Sequence, residues 1–304
     1  MASIGEPLHS SLMSRGRVAS VRPDAPADDQ ALQEFQQRYS DVRFGPLAIV
    51  IPAYNEAENI TQVVQALPTT VCGLNVSVLV VDDGSADGTA EVARAAGAFV
   101  CAPVQNRGQG AAFRLGYWLA RDRGAWVIAT TDADGQYDSS QFDRIVEPIV
   151  RGEADFVTGS RKLGTYTTDD SVRHAGVVFY ARVLSVLTKR RVTDTSNGFR
   201  AFHADVLDHI VLDQPQYQAT ELLLGVIYRG FRWREVPTSM HQRTGGSSKK
   251  GNNLLYGYRF GRVITGTWLR ELRRNRREGR RLASPGPALH VPPPARTAGQ
   301  RSGT

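Results

Sequence analysis

The sequence predicts an α/β fold with a mainly parallel mixed sheet flanked by helices. Two observations predict it. From residue 45 to about 160, short apolar runs of strand length alternate with amphipathic segments of helix length. The polar clusters then fall where the apolar runs stop. Strands separated by crossover helices pair in parallel and are covered on both faces, so they read as continuous apolar runs. Ligands of such sheets bind beyond the carboxyl ends of the strands.

The elements follow in order. Leu47–Ile51 is a strand, followed by a helix from about Glu56 to Leu67; Val76–Val81 and Gly88–Ala96 are the next strand and helix. Phe99–Val104 is a short strand and Gly110–Arg123 a longer helix. Trp126–Thr131, a helix over Ser140–Val150 and the strand Asp155–Gly159 complete the alternation. Helices are also expected over Asp170–Lys189, over Leu222–Tyr228 behind Gln218-Ala219-Thr220-Glu221, and over Leu254–Arg273. Residues 1–44 are polar and contain Arg22-Pro23-Asp24-Ala25-Pro26, which reads as a mostly disordered arm. Residues 45–250 form the main domain and 251–282 a basic helical extension. Residues 283–304, with Pro285, Pro287 and Pro292-Pro293-Pro294, read as a disordered tail.

Composition narrows the class. At 304 residues, 41% hydrophobic and 22% charged, the chain can bury a substantial core and is neither globally disordered nor a polytopic membrane protein. No apolar run approaches the length of a spanning helix. Arg15 and Arg17 are not followed by an apolar stretch, so no signal peptide is expected. Cys72 and Cys101 sit among apolar neighbours and read as buried reduced thiols of a cytoplasmic protein. The net charge of +7 is unevenly distributed: from Leu254 onward 11 arginines face two acids, leaving 26 bases and 28 acids before it. A nucleic-acid binder spreads its basic patch over the folded domain; here that part is slightly acidic.

The strand ends carry the chemistry. The first runs into Pro52-Ala53-Tyr54-Asn55-Glu56 and the second ends in Asp82-Asp83-Gly84-Ser85-Ala86-Asp87-Gly88-Thr89. Carboxylates before a glycine turn suit recognition of a base or ribose. Asp83 is the candidate ligand contact, whereas Asp87 is read as a helix cap. The strand before residue 132 ends in Asp132-Ala133-Asp134-Gly135-Gln136. Two carboxylates one residue apart point to the same side of an extended segment and repel. A divalent cation, Mg²⁺ or Mn²⁺, shared with phosphate oxygens resolves that repulsion; the alternative is a solvated acidic turn. Gly108-Gln109-Gly110-Ala111-Ala112-Phe113 begins like a dinucleotide fingerprint but has Phe in place of the third small residue and follows the wrong strand, which excludes hydride transfer. Arg161 and Arg200 are candidates for bidentate phosphate contacts or for ion pairs. Gln242-Arg243-Thr244-Gly245-Gly246-Ser247-Ser248-Lys249 reads as a basic lid over a diphosphate, or as a linker.

Taken together, these clusters resemble the family 2 glycosyltransferases of the GT-A fold, most closely the dolichyl-phosphate mannose synthase-like branch, over about residues 46–250. The resemblance implies that Pro52, Tyr54, Glu56, Asp83, Asp132 and Lys249 line the site of a nucleotide sugar of the GDP-mannose or UDP-glucose type. It implies a cation at Asp132, Asp134 and Gln136, which match the family's DADxQ element, and phosphate contacts at Arg161, Arg200, Arg243 and Lys249. Arg173 is the candidate acceptor-phosphate arginine, although Val177 stands where a serine is expected one turn later. Ser196-Asn197-Gly198-Phe199-Arg200 carries an asparagine inserted into the family's usual SGFR. Asp134, Arg200 and Glu221 are the expected catalytic residues.

The implied reaction is inverting hexosyl transfer to polyprenyl phosphate. A phosphate acceptor is already anionic and needs no base; the alternative, a hydroxyl of a soluble or natural-product acceptor, needs one, for which Glu221 is the candidate, its other reading being a capping or positioning role. A non-catalytic sugar-nucleotide or membrane-binding scaffold is the alternative of another class. In the C-terminal helix, Leu254, Tyr258, Ile264, Trp268, Leu269 and Leu272 share an arc beside Arg259, Arg262, Arg270 and Arg273, an arrangement suited to an anionic membrane surface. The other reading packs that apolar arc on the main domain. The expected partners are thus a sugar-nucleotide donor, a lipid-phosphate or other acceptor, an anionic membrane on the cytoplasmic side through residues 254–281, and a membrane protein, but not nucleic acid.

Overall fold

The computed structural model describes residues 26–164, 171–241, 253–282, 284–289 and 291. Its elements run α1 (Pro26–Arg38), β1 (Leu47–Ala53), α2 (Ala57–Ala66), β2 (Thr70–Val71), β3 (Leu74–Asp82), α3 (Thr89–Ala95), β4 (Phe99–Cys101), α4 (Gln109–Asp122), β5 (Val127–Thr130), α5 (Phe142–Val150), β6 (Phe156–Ser160), α6 (Ser171–Thr188), β7 (Arg200–His203), α7 (Gln218–Tyr228), β8 (Trp233–Pro237) and α8 (Asn253–Arg277). The strands form one sheet in the order β2-β3-β1-β5-β7-β6-β8, with β4 also paired to β3. β1, β3, β4 and β5 pair in parallel, as the crossover pattern requires, while β7 runs antiparallel to both β5 and β6. All seven residues of β1 are buried, which explains why Leu47–Ile51 shows no alternation.

The sheet divides the core into two layers. One contains Val50, Leu79, Phe113, Tyr117 and Phe202 with α4 and α7; the other contains Ile49, Ile51, Ile60, Phe142 and Ile145 with α2 and α5. Alternate β1 residues face opposite layers, as strand geometry dictates.

Three boundary expectations are corrected. The arm is not disordered over residues 26–44: α1 buries Ala31 and Phe35, and Arg123 donates from Nη1 to the Tyr39 and Val42 carbonyls at 2.7 and 3.2 Å. Burying a phenylalanine contributes roughly 1.5–3 kcal/mol, which offsets part of the ordering cost of this polar helix. The basic helix is not a separate extension. α8 buries Phe260, Val263, Ile264, Thr267, Glu271 and Asn275 at helical spacing, and the Tyr180 hydroxyl of α6 donates to the Gly257 carbonyl at 2.6 Å. Finally, the tail is ordered at residues 284–289, where the Gly286 N–H donates to the Gly230 carbonyl at 2.8 Å and Leu289 packs on the core.

Candidate active site

The carboxyl ends of β1 and β3 are laced together by side chains. Asn55, just beyond β1, has a left-handed φ of 52°, a conformation asparagine tolerates. Its N–H donates to Ser85 Oγ at 2.8 Å, and its Oδ1 accepts from the Ala86 N–H at 2.9 Å. The Glu56 N–H donates to Thr89 Oγ1 at 2.9 Å and the Ala57 N–H to Asp87 Oδ2 at 3.1 Å. Asp87, one position before the Gly88 N-cap of α3, also accepts from the Thr89 N–H at 3.1 Å. This lattice leaves Tyr54 exposed at the mouth and Glu56 half-buried, its Oε2 accepting from Asn59 Nδ2 at 2.9 Å, while Pro52 lies inside the sheet.

Asp83 is buried. Its Oδ1 accepts from the Arg107 N–H at 2.9 Å and its Oδ2 from the Gly108 N–H at 2.7 Å. Burial raises its carboxyl pKa, against the opposing pull of those two N–H groups. Each oxygen accepts one N–H bond inside the protein, so Asp83 holds the turn at 105–108 from the end of β3.

Asp132 lies two residues past β5. In the antiparallel β5–β7 ladder Thr130 faces Arg200, and extending that register by two residues brings Gly198 opposite Asp132. A Cβ at Gly198 would lie 2.8 Å from Asp132 Oδ1. The Gly198 turn is fixed from several sides: the Thr130 hydroxyl donates to its carbonyl, its N–H donates to Tyr137 Oη at 3.0 Å, and Asn197 Oδ1 accepts from the Phe199 N–H at 2.9 Å. The inserted asparagine thus closes the turn with its own side chain. Gln109 Nε2 reaches Asp132 Oδ1 at 3.5 Å. Asp134, partly exposed, accepts from the Gln136 N–H at 3.2 Å, while Gln136 Nε2 donates to the His241 carbonyl at 3.1 Å.

Among the described residues no group of three His, Cys, Asp or Glu side chains is gathered to hold a metal. A cation held here would therefore take one or two carboxylates from the protein and its remaining ligands from phosphate and water. That donor set fits Mg²⁺ or Mn²⁺ with a diphosphate and does not fit a structural zinc site.

The arginines divide. Arg161 binds Asp194 bidentately, Nε at 2.7 Å and Nη2 at 2.8 Å, and Nη2 also reaches Ser196 Oγ at 3.0 Å. Its fork is thus committed within the protein, and Nη1 lies against Met240 Sδ at 3.9 Å. Arg200 is fully buried, with its guanidinium 5.1 Å from the Phe113 ring and its Nε 3.3 Å from Thr130 Oγ1. Among the described residues its Nη1 has no hydrogen-bond partner. It is not a surface ion pair, which corrects that reading; it is a cation stored beneath the turn that carries Gly198. Arg173 falls in the first turn of α6, and Arg243 and Lys249 lie outside the described residues.

Glu221 is fully buried in the first turn of α7. Its carboxylate accepts from the Asp213 and Gln214 N–H groups at 3.1 Å and from Arg270 Nη1 at 2.9 Å. Burial, followed by the carboxyl contact with Asp213, raises its pKa to about 7. So enclosed, Glu221 clamps α7 to the 213–214 segment and α8, the positioning role that is the other expectation for it. Sequence reasoning missed Gly198, Gln109 and Arg107 as site-building residues. Gly108-Gln109-Gly110, set aside as a failed fingerprint, carried the signal.

Residues 48–211 match the model of glycosyl transferase family 2. The chain is 32% identical over 206 residues to a dolichyl-phosphate hexose transferase of Haloferax volcanii, covering 68% of this chain and 87% of that protein. It is 31% identical to an undecaprenyl-phosphate mannosyltransferase of Micrococcus luteus, covering 68% and 88%. Among solved structures, glucosyl-3-phosphoglycerate synthase of Mycobacterium tuberculosis, in complex with Mn²⁺, UDP and glucosyl-3-phosphoglycerate, superposes with a TM-score of 0.55 at 20% identity, over 82% of this chain and 85% of that one. That likeness establishes a GT-A architecture. With strand ends, acidic turn and register in agreement, the chain belongs to glycosyltransferase family 2.

Proposed function

We infer that the chain transfers a hexose from a nucleoside-diphosphate sugar to polyprenyl phosphate, in one inverting displacement, at an anionic membrane surface. The observation that carries the reading is the pair Asp132 and Asp134 beyond β5, with Gly198 packed against the first. Relatives named for lipid-phosphate acceptors supply the acceptor class.

Tyr54, Glu56 and the turn held by Asp83 suit the nucleoside end of the donor. Asp132, Asp134 and Gln136 would hold Mg²⁺ or Mn²⁺ against its diphosphate. A cation held by these residues would supply stabilisation of the charge on the departing nucleoside diphosphate. Buried Arg200 adds a positive potential from below, in a region screened from water. An acceptor phosphate oxygen forms the new bond to the anomeric carbon as the bond to the diphosphate oxygen breaks, and the nucleoside diphosphate departs with that electron pair. Since a phosphate monoester is anionic at pH 7, no proton has to be removed, which agrees with an enclosed Glu221. That enclosure disfavours the hydroxyl-acceptor reading.

No helix among the described residues is long and apolar enough to cross a membrane. The surface suited to lipid is the outer face of the α6–α8 pair. Phe179 and Val186 of α6 and Tyr258 and Leu269 of α8 are exposed. Arg182, Arg259, Arg262, Arg273, Arg276 and Arg277 are exposed on the same two helices. Ile264, assigned to the lipid arc by sequence pattern, is buried instead.

The test is a panel of radiolabelled sugar nucleotides incubated with enzyme, Mn²⁺ and polyprenyl phosphate. Sugar recovered in the lipid phase supports the reading. Label transferred only to water-soluble acceptors overturns it.

A further inference from the structure

Arg107 is held from two directions by two buried carboxylates. Its N–H donates to Asp83 at the end of β3, while its Nη2 donates to both oxygens of Asp28 in α1 at 2.7 Å. Asp28 and Asp83 are 2% and 4% exposed. A carboxylate removed from water to that degree must be paired or hydrogen-bonded, so each constrains Arg107 independently, one through the backbone and the other through the side chain.

The turn around Arg107 is wedged on its remaining sides. A Cβ at Gly84 would lie 2.7 Å from the Asn106 nitrogen, and one at Gly108 would lie 2.6 Å from the Pro215 carbonyl oxygen. The turn leads directly into Gln109, whose Nε2 approaches Asp132. It therefore connects the end of β3 to the acidic turn beyond β5. α1 is fastened at its other end as well, by Arg123, which donates to the Tyr39 carbonyl and stands 5.1 Å from the Phe35 ring. It is not a loosely attached arm, and it lies before the region matched by the family model, which begins at residue 48.

We propose that Asp28 is a positioning residue for donor binding: through Arg107 it sets the 105–109 turn against which the nucleoside diphosphate is held. The inference rests on the donor reading above. It makes α1 a working part of the donor site, since a carboxylate 55 residues before Asp83 fixes the same turn.

The experiment measures Kd for UDP and for GDP, each with Mn²⁺, by calorimetry on the full chain. Wild type, Asp28→Asn, Arg107→Gln, the double variant and Asp28→Glu are compared. Asp28→Asn and Arg107→Gln are each expected to weaken binding about tenfold, and the double variant no further, because coupled residues are non-additive. Asp28→Glu, which keeps the charge but displaces it, is expected to fall between, and it carries the test if Asp28→Asn does not fold. In turnover, donor KM rises while kcat at saturating donor is kept. An unchanged Kd in the Asp28 variants with a lowered Tm would show that α1 only stabilises the fold and would overturn the proposal, as would additive losses in the double variant. Failure of the wild type to bind either nucleotide overturns the donor reading itself, a separate outcome.

Discussion

Gly198 lies against the carboxylate of Asp132, so closely that a Cβ on it would come 2.8 Å from Oδ1 and 3.0 Å from Oδ2. The contact follows from the antiparallel register of β5 and β7, and it makes the space beside that carboxylate a property of residue 198. Gly198→Ala should displace Asp132 by several tenths of an ångström or more. A misplacement of that order costs up to about 10²-fold in rate. Turnover should fall accordingly while Tm shifts little, since the methyl group meets a side chain at the sheet's end and not the core. Unchanged turnover would show that the Asp132 position is not rate-determining.

Asp134 tests the cation. It is partly exposed and accepts from the Gln136 N–H in its own turn, and Asp134→Asn keeps shape and removes charge. Turnover is expected to drop by about 10²-fold or more, comparable to losing a major charge-stabilising group. Chelation by EDTA should abolish wild-type activity, with Mn²⁺ or Mg²⁺ restoring it. Metal-independent turnover in either protein would refute the assignment.

The parallel half of the sheet was legible because each strand is a buried apolar run closed by polar residues, and β1, β3 and β5 lie within a few residues of where the pattern sets them. β7 and β8 were not. Arg200–His203 carries a charge into a buried strand, and Trp233–Pro237 is an edge strand containing Arg234, Glu235 and a proline, so neither shows an apolar period. α1 was hidden by the polarity of PADDQALQEFQQR, which buries few apolar side chains but includes Asp28, satisfied by Arg107. The site residues were visible as types, and their packing partners were not. Asp83, Arg161 and Glu221 lie in the right motifs, yet each is engaged by protein partners distant in sequence, and pairing at such separations leaves no local signature.

Glu221 links pH to stability. Its folded pKa is raised to about 7 from 4.5, so between those values the folded chain holds a proton that the unfolded chain has released. Stability from this group is therefore greatest at low pH and is lost as pH rises through about 7. Thermal melts should show wild-type Tm declining from pH 5 to pH 8, with a shallower decline in Glu221→Gln. Equal slopes would refute the linkage. The same variant should keep transfer to polyprenyl phosphate within about threefold, whereas removal of a true general base costs roughly 10²–10⁴-fold.

α8 presents two chemically different faces, and substitutions on them should separate. Ile264 and Val263 are buried against the domain, so Ile264→Ser should cost about 2–5 kcal/mol through lost packing and an added hydroxyl, read as a lower Tm. Tyr258 and Leu269 are exposed; Tyr258→Ser with Leu269→Ser should leave Tm nearly unchanged and weaken binding to vesicles containing phosphatidylglycerol. Arg273, Arg276 and Arg277 are exposed on the same helix, and each basic residue near an anionic surface contributes about 1 kcal/mol. The triple change to glutamine should therefore reduce partitioning by about two orders of magnitude or more at low salt, with a smaller difference at 0.5 M salt, where screening shortens the reach of charge. Co-sedimentation measures both effects. Vesicle binding that survives the outer-face changes at low salt would remove α8 from the membrane surface and leave it as packing for α6 and α7 alone.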